Sequence, residues 1–81
     1  MRIPRDLSGP DLVRALARIG YVQTRQTGSH MRLTTKEHGE HHVTVPKHDS
    51  LRIGTLSSIL VDVAEHLALP REELIKRLFG P

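Results

Sequence analysis

The spacing of apolar residues changes twice along this chain, and this change constrains the fold more than any other feature. Between Leu12 and Ile19 apolar residues recur at helical spacing, whereas over residues 21–45 they alternate with polar residues. Helical spacing returns after Gly54. This order predicts one helix, a group of short strands and then further helices, which is typical of an α+β domain.

Three segments have the pattern of amphipathic helices. The first is predicted over about residues 9–19, where Ser8 or Gly9 can cap the start. The second is predicted over about residues 54–67 and the third, which is short, over about residues 70–79.

Three strands are predicted between the first two helices. They cover Tyr21 to Thr27, His30 to Lys36 and His41 to Val45, with turns at Gly28 and Gly39. Short connections make these strands an antiparallel meander, and one-sided helices are expected to cover the same face of the sheet. The predicted fold class is therefore α+β: a three-stranded antiparallel sheet with helices packed on one face, in the order α-β-β-β-α-α.

Strand alternation assigns side chains to the two faces of this sheet. The side chains expected to be buried together are Leu12, Leu16, Leu33, Val43, Val45, Ile59 and Leu60. Those expected on the uncovered face are His30, Arg32, Thr34, His42 and Thr44, joined by Arg25 from the first strand. Any sheet with one covered face carries polar residues on the other, so position alone does not define a site.

Composition narrows the class of protein. At 81 residues the chain is expected to form a single domain, residues 1–81. Leu, Ile and Val must build its core, because Tyr21 and Phe79 are the only aromatic residues, and aromatic platforms for stacking bases are not expected. The lack of cysteine excludes disulfides and thiolate metal sites. No membrane span or signal-peptide core is recognisable, and the predicted location is cytoplasmic.

The positive charge is concentrated in the first part of the chain. The net charge is +3, and residues 1–48 contain eight Lys or Arg against four Asp or Glu. Five of the six histidines also lie between Tyr21 and His48. A basic surface of this kind suits an anionic partner such as RNA, although charge alone favours ordinary solvated surface charge.

His30 is the first candidate for chemistry. It follows Gly28 and Ser29 at the start of a strand, where a turn can bring an imidazole close to a phosphate. An imidazole can take the proton from a ribose 2′-hydroxyl, which then attacks its own phosphorus, and this reaction needs no metal or cofactor. The alternative is that His30 is an ordinary turn residue.

Two further patterns are candidates for binding sites. The histidines at 38, 41, 42 and 48 could bind zinc, but adjacent His41 and His42 point to opposite faces of a strand and the spacing matches no zinc motif, so no metal site is predicted. The helix start at Gly54-Thr55 could bind a phosphate through its free N–H groups, or it could be a plain helix cap.

Three stretches together resemble a known family. In order and spacing, "LSGPDLVRALARIGYVQTRQTGSHMRL", "VTVPKH" and "GTLSSIL" are similar to the HicA (YcfA-like) toxins of bacterial and archaeal toxin–antitoxin pairs, over about residues 7–67. The most specific parts are the triplet at residues 28–30, the Pro46-x-His48 strand end and the helix start at residues 54–56. The family often has Lys or Arg where Ile53 stands, and the segment at residues 34–42 is unusually rich in histidine.

The resemblance implies a fold like that of double-stranded-RNA-binding domains, metal-independent cleavage of mRNA and neutralisation by a HicB-type antitoxin. It assigns catalysis to His30 and the tight turn to Gly28. The residues expected to contact RNA are Gly28, Ser29, Arg25, Arg32, Lys36, Lys47 and His48. Two other functions remain open from the residues alone: a non-catalytic RNA-binding module on the same fold, and a domain that binds only proteins.

Overall fold

The computed structural model describes residues 3–81 and contains six elements. They are α1 (Gly9–Ala17), β1 (Val22–Thr27), β2 (His30–Thr35), β3 (His41–Pro46), α2 (Ile53–Leu67) and α3 (Arg71–Phe79). The predicted fold class and element order are confirmed. The largest boundary difference is at α1, which ends at Ala17 rather than at residue 19 because the chain tightens there: the Ile19 N–H bonds the Leu16 carbonyl, and Gly20 takes φ 102°.

The sheet has the order β1-β2-β3, and both pairs of strands are antiparallel. Gly28 takes φ 58° in the two-residue turn between β1 and β2, at the position where such a hairpin favours glycine. The pairing of β2 with β3 is regular from His30 opposite Pro46 onwards. In contrast, the register of β1 against β2 shifts between Gln23 and Arg25, which leaves one residue as a bulge.

Helices α1 and α2 cover the same face of the sheet, as predicted. The side chains that fill this core from the sheet are Met31, Leu33, Val43 and Val45. They pack with Leu12 and Leu16 of α1 and with Leu60 of α2, and all seven residues predicted to be buried together are buried. Helix α3 adds Leu74 and Leu78 to the same cluster.

The start of α1 is fixed by a reciprocal cap. The Ser8 hydroxyl accepts the Asp11 N–H at 3.0 Å, while the Asp11 carboxylate accepts the Ser8 N–H at 3.2 Å. These bonds hold the pKa of Asp11 below its ordinary value, with the Ser8 backbone bond as the main cause. Ser8, rather than Gly9, is therefore the cap residue.

The far end of α1 is joined to the end of α3. The Arg18 guanidinium donates to the carbonyl oxygens of Leu78 and Gly80, each at 2.8 Å. These carbonyls lie where a helix leaves its last acceptors unpaired, so Arg18 satisfies them.

Across residues 3–81 no single helix is long and apolar enough to span a membrane. Helices α2 and α3 reach that length only as a pair, which is bent by 106°.

Candidate nucleic-acid site on the open sheet face

The uncovered side of the sheet carries a row of polar and basic side chains. We call it the open face; its main residues are Thr24, Arg25, His30, Arg32, Thr34, His42 and Thr44. Strand pairing arranges them in rows across the sheet. His30 lies opposite Pro46, Arg32 lies between Arg25 and Thr44, and Thr34 lies opposite His42. The predicted face assignment is therefore confirmed.

His30 is at one end of this face, directly after the hairpin turn. Its side chain is exposed, and within residues 3–81 its imidazole makes no hydrogen bond to another side chain or to the backbone. Both ring nitrogens are thus open to a bound molecule. The turn that presents it depends on Gly28, whose positive φ is unfavourable for other residues even though a Cβ would meet no atom.

Arg25 and Arg32 are the nearest cations along the strands. They are directly opposite each other in β1 and β2, and in the described part of the chain neither forms an ion pair. Like charges facing each other across two strands repel, which costs stability unless an anion lies between them. The row of this pair is two residues from His30, or about 7 Å along β2.

The loop after β3 joins the His30 turn to the start of α1 and leads into α2. The Lys47 N–H donates to the Ser29 carbonyl at 2.6 Å, and the Gly9 N–H donates to the His48 carbonyl at 2.9 Å. Lys47 and His48 are exposed. The structure therefore brings these two residues to the same end of the sheet as His30.

Lys36 is not brought to this end. It follows the last residue of β2, six positions from His30, which corresponds to about 20 Å along an extended strand. Its predicted role in RNA contact stays a prediction, but Lys36 is too far away to share a phosphate with His30. The basic residues predicted from sequence thus divide into a group near His30 and one distant lysine.

A chain of hydrogen bonds occupies the other half of the open face. The Thr24 and Thr34 hydroxyls are 3.0 Å apart, and the Thr34 hydroxyl is 2.7 Å from Nδ1 of His42. On its other side, Nε2 of His42 donates to the Glu40 carboxylate at 3.0 Å. Sequence reasoning placed Thr34 and His42 on this face but missed the chain, because the bulge that brings Thr24 beside Thr34 leaves no recognisable pattern in the sequence.

His41 and His66 lie on the helix side of the sheet. His41 bonds the buried Tyr21 hydroxyl at 2.8 Å and the Asp62 carboxylate at 3.1 Å, and its ring stacks on His66 with centroids 4.2 Å apart. Burial raises the pKa of Tyr21 to about 12, with a smaller contribution from Asp62. The prediction that His41 and His42 point to opposite faces is confirmed. Among residues 3–81 no three His, Cys, Asp or Glu side chains are grouped to hold a metal.

Fold and site together define a small α+β protein with a basic, histidine-bearing sheet face suited to an anionic ligand. The model of one family, described as the HicA toxin of bacterial toxin–antitoxin systems, matches residues 9–64. The chain belongs to this family and is thereby the toxin type of protein in such a system, with an antitoxin as its implied partner. No curated protein and no solved structure matches the chain. The likeness to double-stranded-RNA-binding domains stays a prediction.

Proposed function

We propose that this protein is a metal-independent endoribonuclease that cleaves mRNA in the cytoplasm, with His30 as its catalytic residue. The observation that carries the proposal is the position of His30: an exposed imidazole whose nitrogens make no hydrogen bond within residues 3–81, about 7 Å from the Arg25–Arg32 pair, which forms no ion pair in the same part of the chain. Family membership supports a toxin, and the arginine pair supports an anionic substrate.

The proposed reaction uses only the substrate and protein side chains. The His30 imidazole removes the proton from a ribose 2′-hydroxyl, and the 2′-oxygen then attacks the adjacent phosphorus. The bond from phosphorus to the 5′-oxygen breaks, and that oxygen takes the proton that His30 removed, which returns the imidazole to its neutral form. The products are a 2′,3′-cyclic phosphate and a 5′-hydroxyl. Arg25, Arg32 and Lys47 stabilise the charge that develops on the phosphate oxygens.

The test compares two histidine variants in an RNA cleavage assay. His30→Ala should reduce the cleavage rate about 100- to 10,000-fold, the usual range for loss of acid–base catalysis. It should leave the protein folded, because an exposed side chain outside the core costs within about 0.5 kcal/mol. His38→Asn is the matched control: His38 is exposed at the turn between β2 and β3 and takes φ 58°, a conformation that asparagine tolerates.

Two results would contradict this assignment. Cleavage at the wild-type rate by folded His30→Ala would make His30 a turn residue and move the search to His42 and His48. Loss of activity in EDTA would contradict metal-independent chemistry. RNA binding without any cleavage by the wild type would instead favour the non-catalytic RNA-binding module. That alternative also fits the absence, within residues 3–81, of a hydrogen bond that orients the His30 imidazole.

RNA binding in this proposal rests mainly on charge. With Arg25, Arg32 and Lys47 as the contacts, the logarithm of the affinity should fall with the logarithm of salt concentration with a slope of about −2, since each contact with a single strand contributes about −0.7. Affinity that does not change with salt would contradict the electrostatic contribution.

We further propose that a HicB-type antitoxin covers the open face around His30 and Arg32 with an acidic surface. The support is again the unpaired arginine pair, which a carboxylate of the partner would neutralise. His30→Ala should still bind the antitoxin, whereas Arg32→Glu should weaken the complex. A complex that leaves His30 accessible to solvent would contradict occlusion of the site.

A further inference from the structure

His42 provides an aromatic ring in the half of the open face that the chain of hydrogen bonds occupies, and both of its nitrogens make hydrogen bonds. Thr34 and Glu40 bond them from opposite sides, at 2.7 and 3.0 Å. Because Glu40 accepts the Nε2 proton, Nδ1 accepts the proton of the Thr34 hydroxyl in the neutral ring. When the ring is protonated, Nδ1 donates to Thr34 instead, so the nitrogens are occupied in both states.

Because both nitrogens already make hydrogen bonds within the protein, the ring has no free nitrogen with which to bind a ligand. Its side chain is nevertheless 38% exposed. Hydrogen bonds to ring nitrogens lie close to the plane of the ring, so they leave the π face uncovered while they hold the ring against rotation. Histidine, like the larger aromatic residues, stacks on the unpaired bases of single-stranded RNA.

The cost of ordering this exposed group also needs an explanation. Fixing exposed side chains in one arrangement loses rotamer entropy, and exposed polar bonds return little stability. The chain of bonds through Thr24, Thr34, His42 and Glu40 lies outside the apolar core, on the side of the sheet that no helix covers. Its clearest physical effect is to hold the imidazole of His42 in place.

The position of His42 relative to His30 fits a nucleotide near the cleaved bond. His42 is opposite Thr34, which is four residues from His30 on β2 and hence about 13 Å away along the face. A stacked strand advances about 3.4 Å per nucleotide and an extended one further, so this distance spans no more than about four nucleotides. The Arg25–Arg32 row lies between the two histidines, where it can contact the connecting phosphates.

We propose that His42 is a base-stacking platform that binds one unpaired base of a single-stranded RNA substrate a few nucleotides from the phosphate at His30. This inference rests on the proposed function for the identity of the ligand. It also revises the expectation from composition that no stacking platform exists, which considered only Tyr21 and Phe79. The imidazole of His42 takes that role because its neighbours hold it in place.

The test separates the contribution of the His42 ring to RNA binding from the contribution of its nitrogens. His42→Phe keeps a flat ring without nitrogens, whereas His42→Gln keeps polar atoms without a ring. Both are made in the full-length His30→Ala protein, so that RNA stays intact during the measurement. Binding of a single-stranded RNA hexanucleotide at low salt should weaken about 5- to 150-fold in His42→Gln, the range for loss of one stacked base. His42→Phe should lose much less affinity, because its larger ring still stacks on the base although Thr34 and Glu40 no longer hold it, and neither change should alter binding of a dinucleotide.

A fluorescent purine analogue placed at each position of the hexanucleotide gives a readout that a merely structural role would not move. Its emission should be quenched by the parent and by His42→Phe at one position, and not by His42→Gln. Unchanged affinity in His42→Gln, or equal losses in His42→Gln and His42→Phe, would overturn the proposal. Because binding is measured, a wild-type protein that fails to cleave RNA would refute the proposed catalysis without deciding the role of His42.

Discussion

Gly9 offers a test of how α1 is joined to the site, because two physical effects at this position have opposite signs. Gly9 is the first residue of α1, and an alanine there should favour the helix by about 0.5–1 kcal/mol. A Cβ on Gly9, however, would overlap the carbonyl oxygen of Pro46 and lie 3.0 Å from its carbonyl carbon and 3.1 Å from Cα of Lys47. All three are backbone atoms, which cannot rotate away.

The clash should outweigh the gain in helix propensity, so Gly9→Ala should destabilise the protein. Forcing an extra carbon into a packed site costs about 1–3 kcal/mol. Separating α1 from the loop would also weaken the bond from the Gly9 N–H to the His48 carbonyl, worth about 0.5–1.5 kcal/mol. After subtracting the gain in helix propensity, Gly9→Ala should lower the free energy of unfolding by about 2 kcal/mol, within a range of about 0.5–4.

Urea denaturation measures this difference, and the chain contains a matched control. Gly54 is the second residue of α2, and a Cβ there would meet no atom within 4 Å. Gly54→Ala should therefore raise stability by about 0.5–1 kcal/mol. If Gly9→Ala is as stable as Gly54→Ala, Gly9 does not pack directly against the Pro46 backbone, and the reasoning is refuted. Because Pro46 pairs with His30, Gly9→Ala should also slow the proposed RNA cleavage.

Three further predictions concern single contacts, each measured by the free energy of unfolding. The lowered pKa of Asp11 means that its cap with Ser8 stabilises the protein above pH 3.8 and that this effect is lost as pH falls further; Asp11→Ala should remove that part of the acid dependence. The raised pKa of Tyr21 has the opposite sign, so stability should fall as pH rises from about 10 to about 12, and Tyr21→Phe should abolish this fall. At neutral pH Tyr21→Phe should cost about 1–3 kcal/mol, because Nδ1 of His41 loses its partner. Arg18→Met should cost about 1–3 kcal/mol by freeing two carbonyls at the end of α3, and no loss would show that water replaces the guanidinium.

The sequence alone determined the order of elements and the two faces of the sheet. Period-two alternation separates Leu33 and Val43 from Arg32 and His42 whatever the rest of the molecule does, because neighbouring strand residues point to opposite sides. The turn at Gly28 could also be predicted from neighbouring residues alone, since a two-residue hairpin needs a positive φ at this position. His30 could be identified as a candidate for chemistry from the sequence, because it is the first residue after that turn.

Contacts between distant residues were decided only by the tertiary structure. No local pattern indicates that Thr24 is a bulge, that it lies beside Thr34, or that Thr34 then holds the ring of His42. These positions depend on how β1 pairs with β2 and β2 with β3, and a shift of one residue would send each side chain to the other face. Alternation in the sequence identifies the residues that can lie on the open face. The register of the three strands determines which of their side chains are in contact.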